Sequence, residues 1–355
     1  MVTEEEIRDA LRRVIDPELG RNIVELGMVR GIGLADGEVN LTLALTTLAC
    51  PLKDRIISDI KSAIRALDGA LIVNVKLVEM SAEERAKIVG EQQVKQYVAE
   101  PFNEINHVIA VMSGKGGVGK SSVAALLAIA LRKQGERVGL LDADITGPSI
   151  PRMLGLHELP GTSPLGMLPA VSPGGVKVMS INLLLAQEDE AVIWRGPLIS
   201  SAIRQFWGDV LWDRLDTLVI DLPPGTSDAT LTVMQSIPLN GVLLVTSPQD
   251  LAGMVVRKAA RMAQLLNIPI IGLLENMSYV QCPDCGRQIE AFGPSRAEET
   301  ARALGVPLLG RIPLDPELAR RCDSGEVESY PVDAFAPLAA TISVLVPDVK
   351  SKPQF

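Results

Sequence analysis

The run Gly114, Lys115, Gly116, Gly117, Val118, Gly119, Lys120 and Ser121 constrains this chain more than any other stretch. Glycines so dense suit neither a helix nor a strand interior, and they fit a loop whose backbone N–H groups turn inward. Before the loop, Val108–Met112 is an apolar run of strand length. After it, the Ala- and Leu-rich stretch from Ser122 to Gln134 has the length of a helix. Strand, glycine-rich loop and helix, in that order, is the context that a phosphate-binding loop requires. The N–H groups and the helix N-terminus then attract phosphate oxygens. Lys120 reaches the β and γ phosphates and Ser121 offers its hydroxyl to Mg²⁺, so Gly114 to Ser122 is the predicted ATP-binding run.

Further apolar runs at Val138–Asp142, Thr217–Asp221, Gly241–Thr246 and Ile270–Asn276 alternate with helical stretches. Strands apolar on both faces and separated by helices predict an α/β fold, a doubly wound, mostly parallel sheet of the phosphate-loop NTPase kind. A 355-residue chain is long for one core, and its first 80 residues have a separate logic. Thr3 and Glu6 form a capping box, Val39, Leu41, Leu43 and Leu45 alternate with smaller or polar residues, and Leu71, Val73, Val75 and Leu77 repeat that period. Pro51 suits the start of a helix running to about Ala66. The expected organisation is a small α+β domain at 1–80, a charged, Gln-rich linker at 81–104 and the phosphate-loop domain at 105–355. A Pro- and Gly-rich loop from Leu159 to Gly175 is expected to be mobile.

A net charge of −9 argues against a broad nucleic-acid footprint. No apolar run reaches the ~18 residues of a membrane span. The N-terminal Met-Val-Thr-Glu-Glu-Glu lacks the parts of a signal peptide. The expectation is a cytoplasmic protein that acts on neither membrane nor nucleic acid.

Two segments add carboxylates beyond strand ends. Leu140-Leu-Asp-Ala-Asp144 supplies Asp142 and Asp144, either of which can orient an attacking water or serve as a cap. Asp221-Leu-Pro-Pro-Gly225 places Asp221 to hold Mg²⁺ through water. Asp228 has a weaker claim. Together with the loop, these segments resemble the deviant phosphate-loop ATPases of septum placement, chromosome partition and nitrogenase reduction. The resemblance implies that Lys115 reaches across a homodimer to the partner's nucleotide, so that dimerisation gates hydrolysis.

Cys282-Pro-Asp-Cys285-Gly286 is the second strong signal. Two sulfurs on a tight turn can converge on one metal, and the spacing alone suits zinc and an iron–sulfur cluster equally, with a redox dithiol behind them. One pair cannot complete a four-thiolate site; the same pair from a two-fold-related subunit is the simplest completion. The wider pattern is Lys115, Asp142-Ala-Asp-Ile-Thr-Gly-Pro-Ser149, Asp221-Leu-Pro-Pro-Gly-Thr-Ser-Asp228, and Glu275-Asn-Met-Ser278 followed by the cysteines. It resembles the Mrp/ApbC iron–sulfur cluster carrier ATPases over about residues 105 to 345.

That resemblance implies a [4Fe–4S] cluster held by Cys282 and Cys285 of both subunits, taken from cluster donors and passed to apoprotein recipients, with zinc as the other candidate for the same thiolates. It also implies that Asn276 and the Arg311-Ile-Pro313-Leu314 segment lie near the adenine. The N-terminal block resembles an iron–sulfur assembly domain through Asp16-Pro-Glu18, Val24-Glu-Leu-Gly-Met28 and Thr46-Thr-Leu-Ala-Cys50-Pro51. Cys50 is read there either as a transient metal contact or as a core thiol. Cys322 is read as structural, and His107 and His157 as not metal-binding. The alternative is a MinD/ParA-like positioning ATPase with a structural zinc at its dimer interface. Against it, the C-terminal run Asp333–Val346 contains no Lys or Arg to form a basic amphipathic anchor.

Overall fold

The computed structural model describes residues 2–14, 22–35, 38–45, 53–67, 71–80, 99–185, 196–333 and 335–346. They form two compact units, one within Met1–Gln96 and the other within Tyr97–Phe355. Asp16, Glu18, Cys50, Pro51 and most of the expected linker lie outside the described residues.

In the first unit Thr3 caps α1 (Glu4–Leu11). Its hydroxyl accepts from the Glu6 N–H at 3.3 Å, and the Glu6 carboxylate accepts from the Thr3 N–H at 2.9 Å, the reciprocal box expected from the sequence. Ile7 and Leu11 share one core with Ile56, Ile60 and Ile64 of α2 (Lys53–Arg65). In the three-stranded sheet, β2 (Glu38–Leu45) lies antiparallel to β1 (Val29–Ala35) and parallel to β3 (Ile72–Glu79). Val39, Leu41 and Leu43 are buried in that core.

The second unit is built on an eight-stranded sheet. Its order is β15 (Leu308–Arg311), β12 (Ile270–Glu275), β11 (Gly241–Thr246), β4 (Glu104–Ser113), β10 (Arg214–Asp221), β5 (Val138–Asp142), β9 (Lys177–Met179) and β8 (Ala170–Val171). Every neighbouring pair is parallel except β8 with β9. Ile109 and Val111 of β4 enter one core and Val108, Ala110 and Met112 the other, so the strand must be apolar throughout. Helices α3 (Lys120–Lys133), α4 (Ile150–Met153), α9 (Pro316–Ser324) and α10 (Ala336–Leu345) supply residues to the first core. Helices α5 (Gly196–Gly208), α6 (Asp228–Ser236), α7 (Asp250–Leu265) and α8 (Ala297–Leu304) supply the second. Because α3 packs on the sheet and on α10, every residue from Val123 to Leu131 is buried. No described helix is long and apolar enough to cross a membrane.

The stretch from Leu159 to Gly175 holds more regular structure than expected. It forms the pair β6 (Thr162–Ser163) and β7 (Gly166–Met167) as well as the edge strand β8. The cause is distant in sequence: the Met167 N–H donates to the Asp209 carbonyl and the Met167 carbonyl accepts from Leu211, both at 2.8 Å. Beyond the sheet, β13 (Val280–Gln281) and β14 (Gln288–Ile289) form a short hairpin.

Candidate functional site

The glycine-rich loop leaves the carboxyl end of β4 and enters α3. The Gly225 N–H donates to the Ser113 carbonyl at 3.0 Å, tying the loop to the turn after β10. Gly119 caps α3 at φ +74° with no side-chain cap, which leaves first-turn N–H groups open toward the loop. A Cβ on Gly119 would stand 2.2 Å from Asn276 Nδ2, so close an approach that only glycine fits. That same Nδ2 donates to the Val118 carbonyl at 2.9 Å. Asn276 therefore braces the loop from behind.

Strand register brings the acids together: Asp221 pairs with Val111 on one side and Asp142 on the other. Lys120 is buried, its Nζ paired with Asp221 Oδ1 and 3.4 Å from Ser121 Oγ. The other oxygen, Asp221 Oδ2, is buried with no hydrogen-bond partner among the described residues. Asp142 is fully buried. It accepts from the N–H groups of Asp144, Ser149 and Ile150 and from the Ser180 hydroxyl at 3.1–3.2 Å. Burial, reinforced by the charge of Asp221, pushes Asp142 up to about 7. Burial also raises Asp221, against the pull of Lys120.

Asp144 accepts from the Thr146 hydroxyl at 3.1 Å and the Gly147 N–H at 3.2 Å. With Lys115, Gly117, Lys120, Ser121 and Ser122 it lines a pocket of about 220 Å³. The predicted loop residues and acids thus meet at one place. Lys115 Nζ donates to Gln249 Oε1 of the same chain. Gln249 and Ser180 were not foreseen; their signal is position alone, just beyond the carboxyl ends of β11 and β9.

The cysteine pair occupies the turn of the β13–β14 hairpin. The Cys282 N–H donates to Arg287 and the Gly286 N–H to Cys282, both at 2.9 Å, with Gly286 at φ +72°. Cys285 is exposed and Cys282 partly so. The N–H groups of Cys285 and Asp284 aim at the Cys282 sulfur and lower its pKa, favouring the thiolate that binds metals. Among the described residues no three His, Cys, Asp or Glu side chains gather as a ligand set. Cys322 is buried with its sulfur 3.9 Å from Ser122 Oγ, and burial raises its pKa. Pro313 lines a pocket of about 380 Å³ with Cys282, Pro283, Gly286 and Asp315, on the side of the thiol turn.

A family model described as NUBPL iron-transfer P-loop NTPase matches residues 104–344, and one described as iron-sulfur cluster assembly protein matches residues 4–77. An iron-sulfur cluster carrier protein of Synechocystis is 41% identical over 350 residues, covering 97% of this chain and 96% of the relative. A nucleotide-binding protein from Archaeoglobus fulgidus, solved in complex with ADP and with cobalt found in it, is 46% identical. Its TM-score is 0.59, over 65% of this chain and 91% of that one. The cell division ATPase MinD of Pyrococcus furiosus shares the fold at 24% identity and a TM-score of 0.51, over 68% of this chain and 98% of its own.

Proposed function

The chain belongs to the NUBPL-type family of iron-transfer phosphate-loop NTPases, and from that premise we propose that it carries a [4Fe–4S] cluster between two copies of itself and gives it up to apoproteins. The observation that carries this reading is the incompleteness of the thiol turn. It offers two accessible sulfurs, one eased toward the thiolate, and no further ligand gathers beside them among the described residues. A second copy supplies the missing pair. The relatives named as iron-sulfur cluster carriers favour iron and sulfide over a structural zinc, and cluster carriage over positioning.

The nucleotide half follows from the buried charges. As an NTPase of this family the protein binds and hydrolyses ATP. Lys120 sits on the β and γ phosphates, leaving its resting partner Asp221. The unpartnered Asp221 Oδ2 and the Ser121 hydroxyl fit a Mg²⁺ ion. When bound, that ion offsets phosphate charge. Asp144, which faces the pocket, orients the attacking water. Asp142, whose oxygens already accept four hydrogen bonds, fixes Asp144 through its N–H. Lys115 leaves Gln249 to reach the nucleotide of the second copy, and Asn276 and Pro313 border the base. The cytoplasm, where thiols stay reduced, suits such a cargo.

The test is anaerobic reconstitution, with iron, sulfide and zinc counted per pair of chains and the mass measured in solution. About four irons and four sulfides per dimer are expected, with almost none for Cys282→Ala. A strictly monomeric chain with ATP bound, or one that takes zinc and refuses iron, overturns the proposal.

A further inference from the structure

The segment that joins the phosphate loop to the thiol turn is short, and its residues are held one after another. Asn276 reaches the Val118 carbonyl through Nδ2 and the Thr246 carbonyl through its N–H, each at 2.9 Å. Met277 sits at φ +56°, a conformation that a non-glycine side chain keeps only where its surroundings enforce it. Its Cε lies 3.3 Å from the place a Cβ on Gly119 would take, so Met277 rests against the left-handed turn of the loop. Ser278 is wholly buried; its N–H donates to the Ile312 carbonyl at 2.8 Å and its hydroxyl to the buried Glu275 carboxylate. Tyr279 closes the segment, its carbonyl accepting from the Leu314 N–H at 2.7 Å. Three residues later comes Cys282.

Arg311, the last residue of β15, gathers both ends of this segment. Its Nε donates to the Ser278 hydroxyl at 2.7 Å and lies 3.5 Å from Glu275 Oε2. The guanidinium carbon stands 5.7 Å from the centroid of the Tyr279 ring, which leads into β13. The same guanidinium reaches Glu290, just past β14, at 3.8 Å. One planar cation thus grips the strand end that carries Asn276 and both legs of the hairpin that carries Cys282 and Cys285. A lysine, with one nitrogen, cannot make these contacts together.

We infer that Arg311 is a positioning residue that couples the phosphate loop to the thiol pair, so that nucleotide on the loop alters how exposed the sulfurs are. A phosphate in the loop accepts from backbone N–H groups such as that of Gly119 and so loads the Val118–Gly119 peptide, on which Asn276 and Met277 are packed. The segment has no free residue to absorb a shift before Ser278, where Arg311 hands it to Tyr279 and Glu290. Coupling of this kind travels through contiguous contacts whose arrangement both sites bias. The inference rests on the reading of Cys282 and Cys285 as the cargo site.

The experiment uses the full chain without metal. The alkylation rates of Cys282 and Cys285 by iodoacetamide are followed by peptide mass, with and without ADP or a non-hydrolysable ATP analogue. Nucleotide affinity is measured for each variant, so that every comparison is made at saturation. In the parent, nucleotide should slow alkylation about fivefold, the lower end for coupled sites. Arg311→Lys keeps a positive charge beside buried Glu275, and should reduce the protection to less than about twofold. Glu290→Gln changes only a half-exposed carboxylate at the hairpin end, and should also weaken it. A parent that shows no protection, or variants that both keep the parent's protection, overturn the inference. Iron counted on the same parent reports separately on the cargo reading: thiols that answer to nucleotide on a chain that refuses iron would sink that reading and leave the coupling.

Discussion

The phosphate loop and the thiol turn both follow the carboxyl ends of strands in one sheet, the loop after β4 and the turn after β12, yet they are built in opposite ways. At the loop, Lys120, Asp142 and Asp221 are buried, and Lys120 pairs with Asp221 within one chain. At the turn, Cys282 and Cys285 face solvent on a hairpin of two-residue strands. A buried site whose groups are paired or hydrogen-bonded within the chain holds its geometry without its ligand, and its residues are bound up with the stability of the fold. An open site with two ligands contributes little to the fold and can release what it binds. The contrast teaches that one sheet can support a rigid nucleotide site beside an open thiol turn, which on the proposed reading is the part that lets its cargo go.

Replacing Lys120 should break the comparison most severely if it is wrong. Lys120→Met leaves Asp142 and Asp221 buried with no counter-charge, and breaking such a pair costs about 3–5 kcal/mol. ATP hydrolysis should vanish as well. Urea unfolding followed by tryptophan fluorescence checks the first expectation, since all three tryptophans lie in the second unit. A loss under about 1 kcal/mol, the range of exposed ion pairs, would mean that the loop is as open as the thiol turn.

Lys115 sharpens the comparison, because it belongs to the loop but is only half-buried and touches one glutamine. Lys115→Ala should leave stability and nucleotide affinity nearly unchanged while lowering turnover by about 10²-fold or more, as expected for a cation delivered in trans. Turnover measured against protein concentration is the check. Parent-like turnover would remove the trans role.

Much of the buried engine was legible in the sequence because burial on both faces leaves a continuous apolar run. Val138–Asp142 and Gly241–Thr246 were bounded to the residue, and the Thr3–Glu6 box marked the start of α1. β1 was missed because Gly31 and Gly33 interrupt its alternation, and β8, β9 and β15 because two to four residues carry no period. The contacts of Gln249 and Ser180 were illegible for another reason: each depends on a partner far away in the chain. The thiol pair announced itself by its spacing, whereas Arg311 shows its grip on that hairpin only once β15 lies beside β12.

Acid titration separates the two regions by a smaller margin. The folded pKa of Asp142, about 7, lies above its ordinary 3.8, so the folded chain keeps a proton that the unfolded chain releases between those values. Its contribution is therefore complete below about pH 4 and fades as pH rises through 7; raised Asp221 acts in the same sense. Asp216 and Glu317, held at about 2 by Arg137 and by Arg320 with Arg321, act in the opposite sense but only in more acid solution. Without nucleotide, the second unit should lose about 1–3 kcal/mol between pH 5 and pH 7 in urea unfolding. Asp142→Asn should flatten that slope.

The smallest expected effect is the most diagnostic for the turn. Cys282→Ala removes a partly exposed sulfur, so the unfolding free energy of the metal-free chain should change by less than about 0.5 kcal/mol, as for surface substitutions in general. The Gly286–Cys282 and Cys282–Arg287 backbone bonds that shape the turn survive the change. A variant that keeps its fold and its ATP hydrolysis while losing its iron assigns the thiols to cargo alone. A cost above about 2 kcal/mol would instead place the sulfur inside a packed structure, where truncation is expensive, and the turn would then be no more releasable than the loop.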